Sequence, residues 1–293
     1  MELLDPRVDF VFKGIFGTEQ TVDLLTDFVN AIFLDAGQPP VTALVLKNPF
    51  TLKSAATDRL GVLDIKARDA SGMLIDVEIQ VANRHDMLAR SLFYAAKMIT
   101  EQVHTGDDFR QWHKVVTINL VNFLYLPTPK DHVTLHLGDP LAHLVIPQYL
   151  EMHFLELPKW SVERIIKDRR IAQWMTFLTT TSRSRREALA VNDAVIERAL
   201  KTLDYLSQDP TAREIYDQRL RELAGYLTDM RAERAEGREE GREEGRQEGR
   251  EEGAQSTRLA LARKLLSRGQ TVETVAELVE LSVHDIRRLL SNH

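Results

Sequence analysis

Two carboxylates, Asp64 and Glu78, lie on two strand-like segments that a short turn separates. Residues 62–67 carry the first carboxylate, and residues 75–80 carry the second. If residues 70–72 form a three-residue hairpin loop with the glycine in the left-handed conformation, Asp64 lies directly opposite Glu78, with about 5 Å between the Cβ atoms. Facing like charges destabilise a sheet unless a cation lies between them, and carboxylate oxygens suit a divalent cation such as Mg²⁺. The spacing therefore predicts a metal site.

Both segments alternate apolar and polar side chains, as strands with one buried face do. The same register places Lys66 opposite Asp76, which predicts a cross-strand ion pair. The alternative interpretation is a half-exposed hairpin whose polar face is simply solvated, because charged residues are common on the outer faces of antiparallel sheets.

The residues around this hairpin resemble a known family. An Asp, a gap and then Glu-x-Gln resemble the core of the PD-(D/E)xK nucleases, with Gln80 where that motif usually has Lys. More specifically, the chain resembles the Rpn family of recombination-promoting nucleases and putative transposases. The similar segments are residues 5–17 (DPRVDFVFKGIFG), residues 25–32, residues 90–97 with Gln102, and the Gly-Arg-Glu-Glu repeats near the C-terminus. The resemblance covers nearly the whole chain, and its specific part is the N-terminal half.

The resemblance implies an α/β fold with a PD-(D/E)xK restriction-endonuclease-like core, in which helices flank a mixed sheet, and a helical C-terminal extension. It also implies a metal-dependent DNA endonuclease that hydrolyses phosphodiester bonds and is linked to recombination or mobile elements. In that reading Asp64 and Glu78 hold Mg²⁺, with Mn²⁺ or Ca²⁺ as alternatives, and the Ile79 main-chain carbonyl is a further ligand. Gln80 would orient the attacking water or the scissile phosphate. Because Gln is neutral, activation of the nucleophile would depend on metal and solvent.

A helix over residues 87–103 follows the Glu-x-Gln strand. Its predicted apolar face consists of residues at helical spacing, namely Leu88, Leu92, Ala95, Ala96, Ile99 and Val103. The other face carries Arg90, Tyr94 and Lys97, and this stripe is expected to lean over the hairpin, where the two cations would contact phosphate. The alternative is a solvated face with a pair between Lys97 and Glu101. Asp9, in the first helix, is either an additional carboxylate near the metal or a helix-start residue.

Periodicity and punctuation predict the elements that position these residues. Helices are expected at residues 8–16 and 21–33, strands at 41–48, 115–124, 133–137 and 153–156, and a mostly helical region at 162–230. The segment at 115–124 is almost continuously apolar, which is typical of a central strand covered on both faces. His132, His136, His143 and His153 have no metal-ligand spacing, so they are interpreted as scattered surface or core histidines.

Composition limits the classes of function. The chain of 293 residues has no cysteine, which excludes disulfides, thiolate chemistry and zinc sites built on cysteine. No run of about 18 apolar residues and no signal-like N-terminus is present, so a cytoplasmic protein that does not enter a membrane is expected. The net charge of −6 is a mild argument against nucleic acid as a partner. Local patches and bound metal ions nevertheless set the field at a site.

Glycine recurs every fourth residue from Gly237 to Gly253 in Gly-Arg-Glu-Glu repeats. Like charges then face each other at i,i+4, and each glycine costs about 1 kcal/mol relative to alanine in a helix. This stretch is either a flexible charged linker or a helix that a partner stabilises along its glycine stripe. Beyond it, short helices at 271–279 and 282–290 resemble either a helix-turn-helix or a small dimerisation module.

The predicted domains are the nuclease core at 1–130, a mixed and then helical extension at 131–230, the repeat segment at 231–255 and a helical module at 256–293. DNA is the expected partner, together with further copies of the chain bound through the C-terminal region. The competing class is a catalytically weak or inactive protein that keeps the nuclease fold and binds partners through its tail. Gln80 and the acidic net charge favour that alternative.

Overall fold

A computed structural model describes residues 2–48, 65–83, 86–106, 108, 112–160 and 170–291, and for residues 288–291 it describes the backbone alone. Within it the chain divides into two compact units, Met1–Gly225 and Tyr226–His293. The first unit contains the sheet and the predicted site. The boundary between the units falls inside one long helix.

The described residues form nine α-helices and six strands. The helices are α1 (Asp9–Phe16), α2 (Val22–Asp35), α3 (Met87–Thr100), α4 (Arg170–Thr179), α5 (Arg183–Ala190), α6 (Ala194–Gln208), α7 (Pro210–Leu266), α8 (Val272–Val279) and α9 (Val283–Ser291). The strands are β1 (Leu44–Leu46), β2 (Ile65–Asp69), β3 (Leu74–Gln80), β4 (Val115–Val121), β5 (His132–Asp139) and β6 (Leu144–Glu156).

The six strands form one mixed sheet in the order β1-β2-β3-β4-β6-β5. β1, β2 and β3 pair antiparallel, β3, β4 and β6 pair parallel, and β5 and β6 form an antiparallel pair at the far edge. β3 and β4 occupy the centre, and each of their residues is buried. The predicted mixed α/β sheet flanked by helices is confirmed.

The two faces of the sheet are covered differently. On one face, Ile75, Val77 and Ile79 of β3 join the main hydrophobic core with residues of α1, α2, α4 and α6. On the other face, α3 packs Ala95 and Met98 against the ends of the central strands. Because side chains alternate along a strand, Asp76, Glu78 and Gln80 belong to this second face. Among the described elements, α3 is the helix that covers the predicted catalytic surface.

Most predicted elements of the first unit are present with small shifts at their ends. The helices at 8–16 and 21–33 correspond to α1 and α2, and the strand at 115–124 is β4. The strand at 41–48 is reduced to three residues. The strands near 133–137 and 153–156 are longer than predicted, because they are the two arms of one hairpin. Strands from both sides of residue 130 thus pair in the same sheet.

The second unit begins within α7, which runs without interruption through all of the Gly-Arg-Glu-Glu repeats. Of the two alternatives for this segment, the structure has the helix, and its stabilisation by a partner stays a prediction. The C-terminal segment forms a small core in which Val275, Val279 and Ile286 are buried against Ala262 of α7. Thr271 caps α8 by accepting a hydrogen bond from the Thr274 N–H.

No helix in the described part of the chain combines the length and the apolarity that crossing a bilayer requires.

Candidate metal and nucleic-acid site

The β2–β3 hairpin has the register that the sequence predicts. Ile65 pairs with Val77 and Lys66 with Asp76, and the Asp69 N–H donates to the Met73 carbonyl over 3.0 Å. Asp64 itself lies outside the described residues, so its position opposite Glu78 stays a prediction.

Local turn chemistry fixes this register. The Asp69 carboxylate accepts hydrogen bonds from the Ser71 and Met73 N–H groups at 2.9 and 2.8 Å, which closes the turn. Gly72 has φ +94°, a left-handed conformation that glycine adopts without strain. A Cβ atom at this position would approach the His113 ring to 2.6 Å. The hairpin therefore needs glycine at position 72 for two independent reasons.

Three polar side chains line the α3 face of β3. Asp76, Glu78 and Gln80 expose only 2, 4 and 8 % of their surface. Lys66 lies directly opposite Asp76 in the register of the two strands, as predicted, and its side chain is half-buried. Burial of two carboxylates on one strand is costly unless cations or hydrogen bonds compensate.

Arg90 of α3 provides part of that compensation. Its Nη2 donates to Glu78 Oε1 over 2.5 Å, and the Gln80 Nε2 group donates to the same oxygen over 2.7 Å. The side chains of Arg90 and Glu78 are 16 and 5 % exposed, so solvent screens this pair weakly. Arg90 lies over the hairpin, as predicted for its helix face, but its guanidinium contacts the Glu78 carboxylate.

The buried face of α3 differs from the predicted one. Met87, Ser91, Ala95 and Met98 are buried, whereas Leu88 and Leu92 are 41 and 50 % exposed. The predicted apolar face is wrong at Leu88 and Leu92, because the sheet beneath this part of α3 presents Thr117 and Asn119. It is right at Ala95, which is buried, and at Ile99, which packs against the same cluster.

Polar contacts hold α3 on β4. The Ser91 hydroxyl is 2.7 Å from the Thr117 hydroxyl and accepts a hydrogen bond from Asn119 Nδ2 over 3.0 Å. The Asn119 amide also donates to the His153 carbonyl of β6. This buried cluster positions the residue next to Arg90, which helps to fix the guanidinium beside Glu78.

The other predicted supporting residues have different surroundings. Tyr94 is half-buried, with the Arg90 guanidinium 5.8 Å from its ring centroid, and Lys97 is exposed. Asp9 Oδ1 accepts from the Phe10 N–H over 2.7 Å. Burial raises the pKa of Asp9, while the nearby Arg219 and Lys13 oppose that shift. No hydrogen bond between Asp9 and Glu78 occurs among the described residues, so Asp9 as a metal-site carboxylate stays a prediction.

Three of the four histidines interpreted as scattered belong to one hydrogen-bonded chain, on the α2 face of the sheet. His132 Nδ1 is 2.7 Å from Asp35 Oδ2, His132 Nε2 is 2.9 Å from His153 Nδ1, and His153 Nε2 is 2.7 Å from Glu151 Oε1. The second Glu151 oxygen contacts His136 and Lys114, each over 2.8 Å. The scattered interpretation is wrong for these three residues.

Glu151 and His153 are fully buried. Burial opposes ionisation of Glu151, but hydrogen bonds from His153, Lys114 and His136 outweigh it and lower the pKa of Glu151 to about 2. The signal for this cluster is that β5 and β6 form a hairpin, because that hairpin pairs His136 with Glu151.

The donor set at the hairpin fits a hard divalent cation. Glu78 offers a carboxylate, and the Gln80 carbonyl accepts from the Asn122 N–H on the β4 side. Because backbone groups of successive strand residues point to opposite sides, the Ile79 carbonyl is directed toward the β2 side, where Asp64 is predicted. Carbonyl and carboxylate oxygens are what Mg²⁺ prefers. Among the described residues, which exclude Asp64, no three His, Asp or Glu side chains converge as a metal-binding group.

Comparison with known proteins places this geometry in context. Residues 6–232 match a family model described as PD-(D/E)XK nuclease family transposase. No curated protein and no solved structure matches the chain significantly.

Proposed function

Because the chain belongs to the PD-(D/E)XK nuclease family transposases, we propose that it is a metal-dependent DNA endonuclease that hydrolyses phosphodiester bonds. Membership of this family supports a role in nuclease or transposase-linked chemistry and DNA as the substrate. Mg²⁺ is the proposed ion, and recombination or the movement of mobile elements is the proposed context.

One observation carries the proposal. A buried glutamate, Glu78, lies on the central strand of the sheet, and Gln80 and Arg90 both contact it. The register of the described part of the hairpin, continued by one residue, would bring Asp64 opposite this glutamate. Buried charges in proteins are paired or bound to metal ions, and Arg is well suited to bind phosphate, so this arrangement supports a site for both.

The side chains have distinct proposed roles. Glu78, Asp64 and the Ile79 carbonyl would hold the cation, which when bound supplies activation of water and stabilisation of charge on the phosphate. Gln80 would position water or the scissile phosphate through its amide, since a neutral amide accepts no proton. Arg90 would balance the charge of Glu78 in the metal-free protein and contact a phosphate oxygen when DNA is bound.

Plasmid nicking tests the proposal. Purified protein is incubated with supercoiled plasmid and Mg²⁺, Mn²⁺ or Ca²⁺, and the variants are Glu78→Gln and Asp64→Asn. Both variants are expected to lose nicking by more than about 100-fold, because a metal ligand contributes at least as much as the outer-shell groups that orient ligands. Circular dichroism should show both variants folded.

Glu197→Gln is the matched control, because Glu197 is an exposed carboxylate on α6 whose known contact is the surface pair with Lys201. It should leave nicking unchanged. If wild-type protein nicks no plasmid with any of the three ions, or if both site variants nick normally, the endonuclease assignment is wrong. Calorimetry of Mg²⁺ binding then distinguishes a protein with a metal site from an inactive scaffold. An inactive scaffold would bind Mg²⁺ weakly, and equally in wild type and Asp64→Asn.

Self-association through the C-terminal region is a second part of the proposal. The repeat region of α7 is exposed along its whole length, and its five glycines disfavour an isolated helix. A second copy packed along the glycine stripe would compensate for that cost, because small residues allow backbones to approach closely.

A further inference from the structure

A stripe of α3 combines cations with an exposed aromatic ring beside the proposed catalytic surface. Arg90, Phe93, Tyr94 and Lys97 follow one another at i, i+3, i+4 and i+7, which places them on one side of the helix. Arg90 begins the stripe and touches Glu78. Its ends, Arg90 and Lys97, are seven positions apart, so the stripe extends for about 10 Å along the helix.

Phe93 is the unusual member of this stripe. Its side chain is 65 % exposed, and its ring centroid is 5.8 Å from that of Tyr94 in an edge-to-face arrangement. Lys97 is exposed and forms no ion pair with any residue that the structure describes. A large apolar ring kept in solvent between two cations has no evident role in stabilising the fold, since its burial would be worth about 2 kcal/mol.

We propose that this stripe binds an unpaired DNA strand next to the cut, with Phe93 stacking on a base that flanks the scissile phosphate. This inference rests on the proposed function and extends it to the form of the substrate. A phosphate at the cation that Glu78 would hold would lie beside Arg90, and the neighbouring nucleotides would then follow the stripe toward Lys97. About three stacked nucleotides cover its length, at 3.4 Å per nucleotide.

Stacking on Phe93 selects an unpaired strand. The bases of an intact duplex already cover both of each other's faces, so a protein ring stacks only on a base that is single-stranded, frayed or displaced. Base–aromatic stacking contributes about 1–3 kcal/mol per base. The two cations neutralise phosphates on either side, and this contribution depends on salt and not on base identity.

The observations favour nucleic acid over a second copy of the chain as the occupant. In a twofold interface centred on Phe93, the cations of the stripe would face the same cations of the partner. Like charges across an interface disfavour association. The adjacent Leu88 and Leu92 are apolar and exposed, so self-association through α3 is the competing outcome that the test must distinguish.

Strand-specific binding tests the proposal on the full-length protein. The probes are a fluorescently labelled single-stranded 12-mer and the matching 12-base-pair duplex, titrated in Ca²⁺ and in EDTA. Phe93→Ala is expected to weaken single-strand binding by about 5- to 150-fold, the range that corresponds to 1–3 kcal/mol. Duplex binding should change by less than about twofold. Phe93→Trp should restore single-strand binding.

Leu34→Ala is the matched control, because Leu34 is a comparably exposed apolar residue, at 57 %, on α2. It should bind both probes as wild type does. Equal single-strand affinity for Phe93→Ala and wild type would overturn the proposal, and so would an equal loss for both probes. A lower mass for Phe93→Ala in light scattering, with DNA binding unchanged, would assign α3 to self-association instead.

The nicking assay and the strand-binding assay, carried out on the same proteins, distinguish this inference from the endonuclease proposal. Wild-type nicking without any effect of Phe93→Ala on strand binding removes the stacking role and leaves the endonuclease in place. Phe93-dependent binding without wild-type nicking supports the stripe and removes the endonuclease.

Discussion

At the residue scale, the central feature is a carboxylate whose charge is balanced inside the protein. Arg90 and Gln80 both donate to Glu78 Oε1, and the two side chains of the ion pair are almost buried. A metal ion at Glu78 would take over part of the charge balance that Arg90 provides. The metal-free and metal-bound proteins are therefore expected to depend on Arg90 to different degrees.

Arg90→Gln should destabilise the metal-free protein by about 1–3 kcal/mol, because it leaves a buried carboxylate without its cation. Mg²⁺ should then raise the melting temperature of Arg90→Gln more than that of wild type, since the added cation replaces the lost charge. Thermal unfolding in EDTA and in Mg²⁺ measures both effects. Lys201→Gln, a change of one exposed cation on α6, is the control. Equal Mg²⁺-induced shifts in Arg90→Gln and wild type would contradict the prediction.

Gln80→Lys should retain or raise the nicking rate, because an ammonium group can donate to Glu78 as the amide does and adds a cation near the phosphate. Gln80→Leu, which removes the donor, should lower the rate by about 100-fold. Plasmid nicking at equal folded protein concentration measures both. A loss in Gln80→Lys as deep as that in Glu78→Gln would mean that the amide has a role that an ammonium cannot fill.

At the scale of elements, each face of the sheet has its own polar cluster. On the α3 face, Ser91, Thr117 and Asn119 hold the helix on the strands. On the α2 face, a hydrogen-bonded series of side chains runs from Asp35 through two histidines to Glu151, and it connects the end of α2 to β5 and β6. Buried clusters of this kind are costly when one partner is removed, because the remaining groups keep their desolvation penalty. They fix how the edge hairpin and the helices lie against the central strands.

Glu151→Gln should destabilise the protein by about 3 kcal/mol at neutral pH, because His153, His136 and Lys114 lose a charged acceptor. The folded-state pKa of Glu151 is lowered from 4.5 to about 2, so the ionised form stabilises the fold above pH 4.5. That contribution is lost as the pH falls from 4.5 toward 2. Urea unfolding between pH 2 and 7 should therefore show the difference between wild type and Glu151→Gln shrinking below pH 4.5.

Glu101→Gln is the control for this titration, because Glu101 is an exposed carboxylate just after α3. Its unfolding free energy should follow that of wild type across the pH range. A difference between wild type and Glu151→Gln that does not change with pH would mean that Glu151 acts through packing alone.

At the scale of the whole molecule, the proposed catalytic role and the proposed assembly role belong to different units. The hydrophobic core and the sheet belong to Met1–Gly225, whereas Tyr226–His293 contains most of α7 and the small core of α8 and α9. The net charge of −6 does not favour general attraction of DNA. Binding would then depend on the local cations of α3 and on bound metal, and it should weaken steeply with salt.

Truncation after Met230 should lower the mass of the assembly in light scattering while Mg²⁺ binding at Glu78 is preserved. A full-length variant with Gly241, Gly245 and Gly249 changed to Glu should lower the mass in the same way, because it places bulk and charge on the stripe where the copies would meet. Mg²⁺ calorimetry on both proteins is the control for the first unit. If the truncated protein keeps its full oligomeric mass but no longer binds DNA, the C-terminal segment is a DNA-binding module and not an assembly module.

The sequence by itself determined the features that depend on neighbours along the chain. The register of the β2–β3 hairpin follows from Asp69, Gly72 and the alternation of apolar side chains, all within a few residues. The limits of α1 and α2 follow from helical periodicity and from the residues that start and stop helices. The family, and with it the expected fold, was also readable from these local motifs.

Only the tertiary structure decided which face of α3 is buried and which histidines meet. Leu88 and Leu92 of α3 point outward because the sheet beneath Ser91 presents Thr117 and Asn119, and Ser91 bonds to them where leucine has no donor or acceptor. The contact between Asp35 and His132 joins residues 97 positions apart, so no local pattern could indicate it. Burial and hydrogen bonding between distant segments set these contacts, and sequence periodicity carries no information about the partner surface.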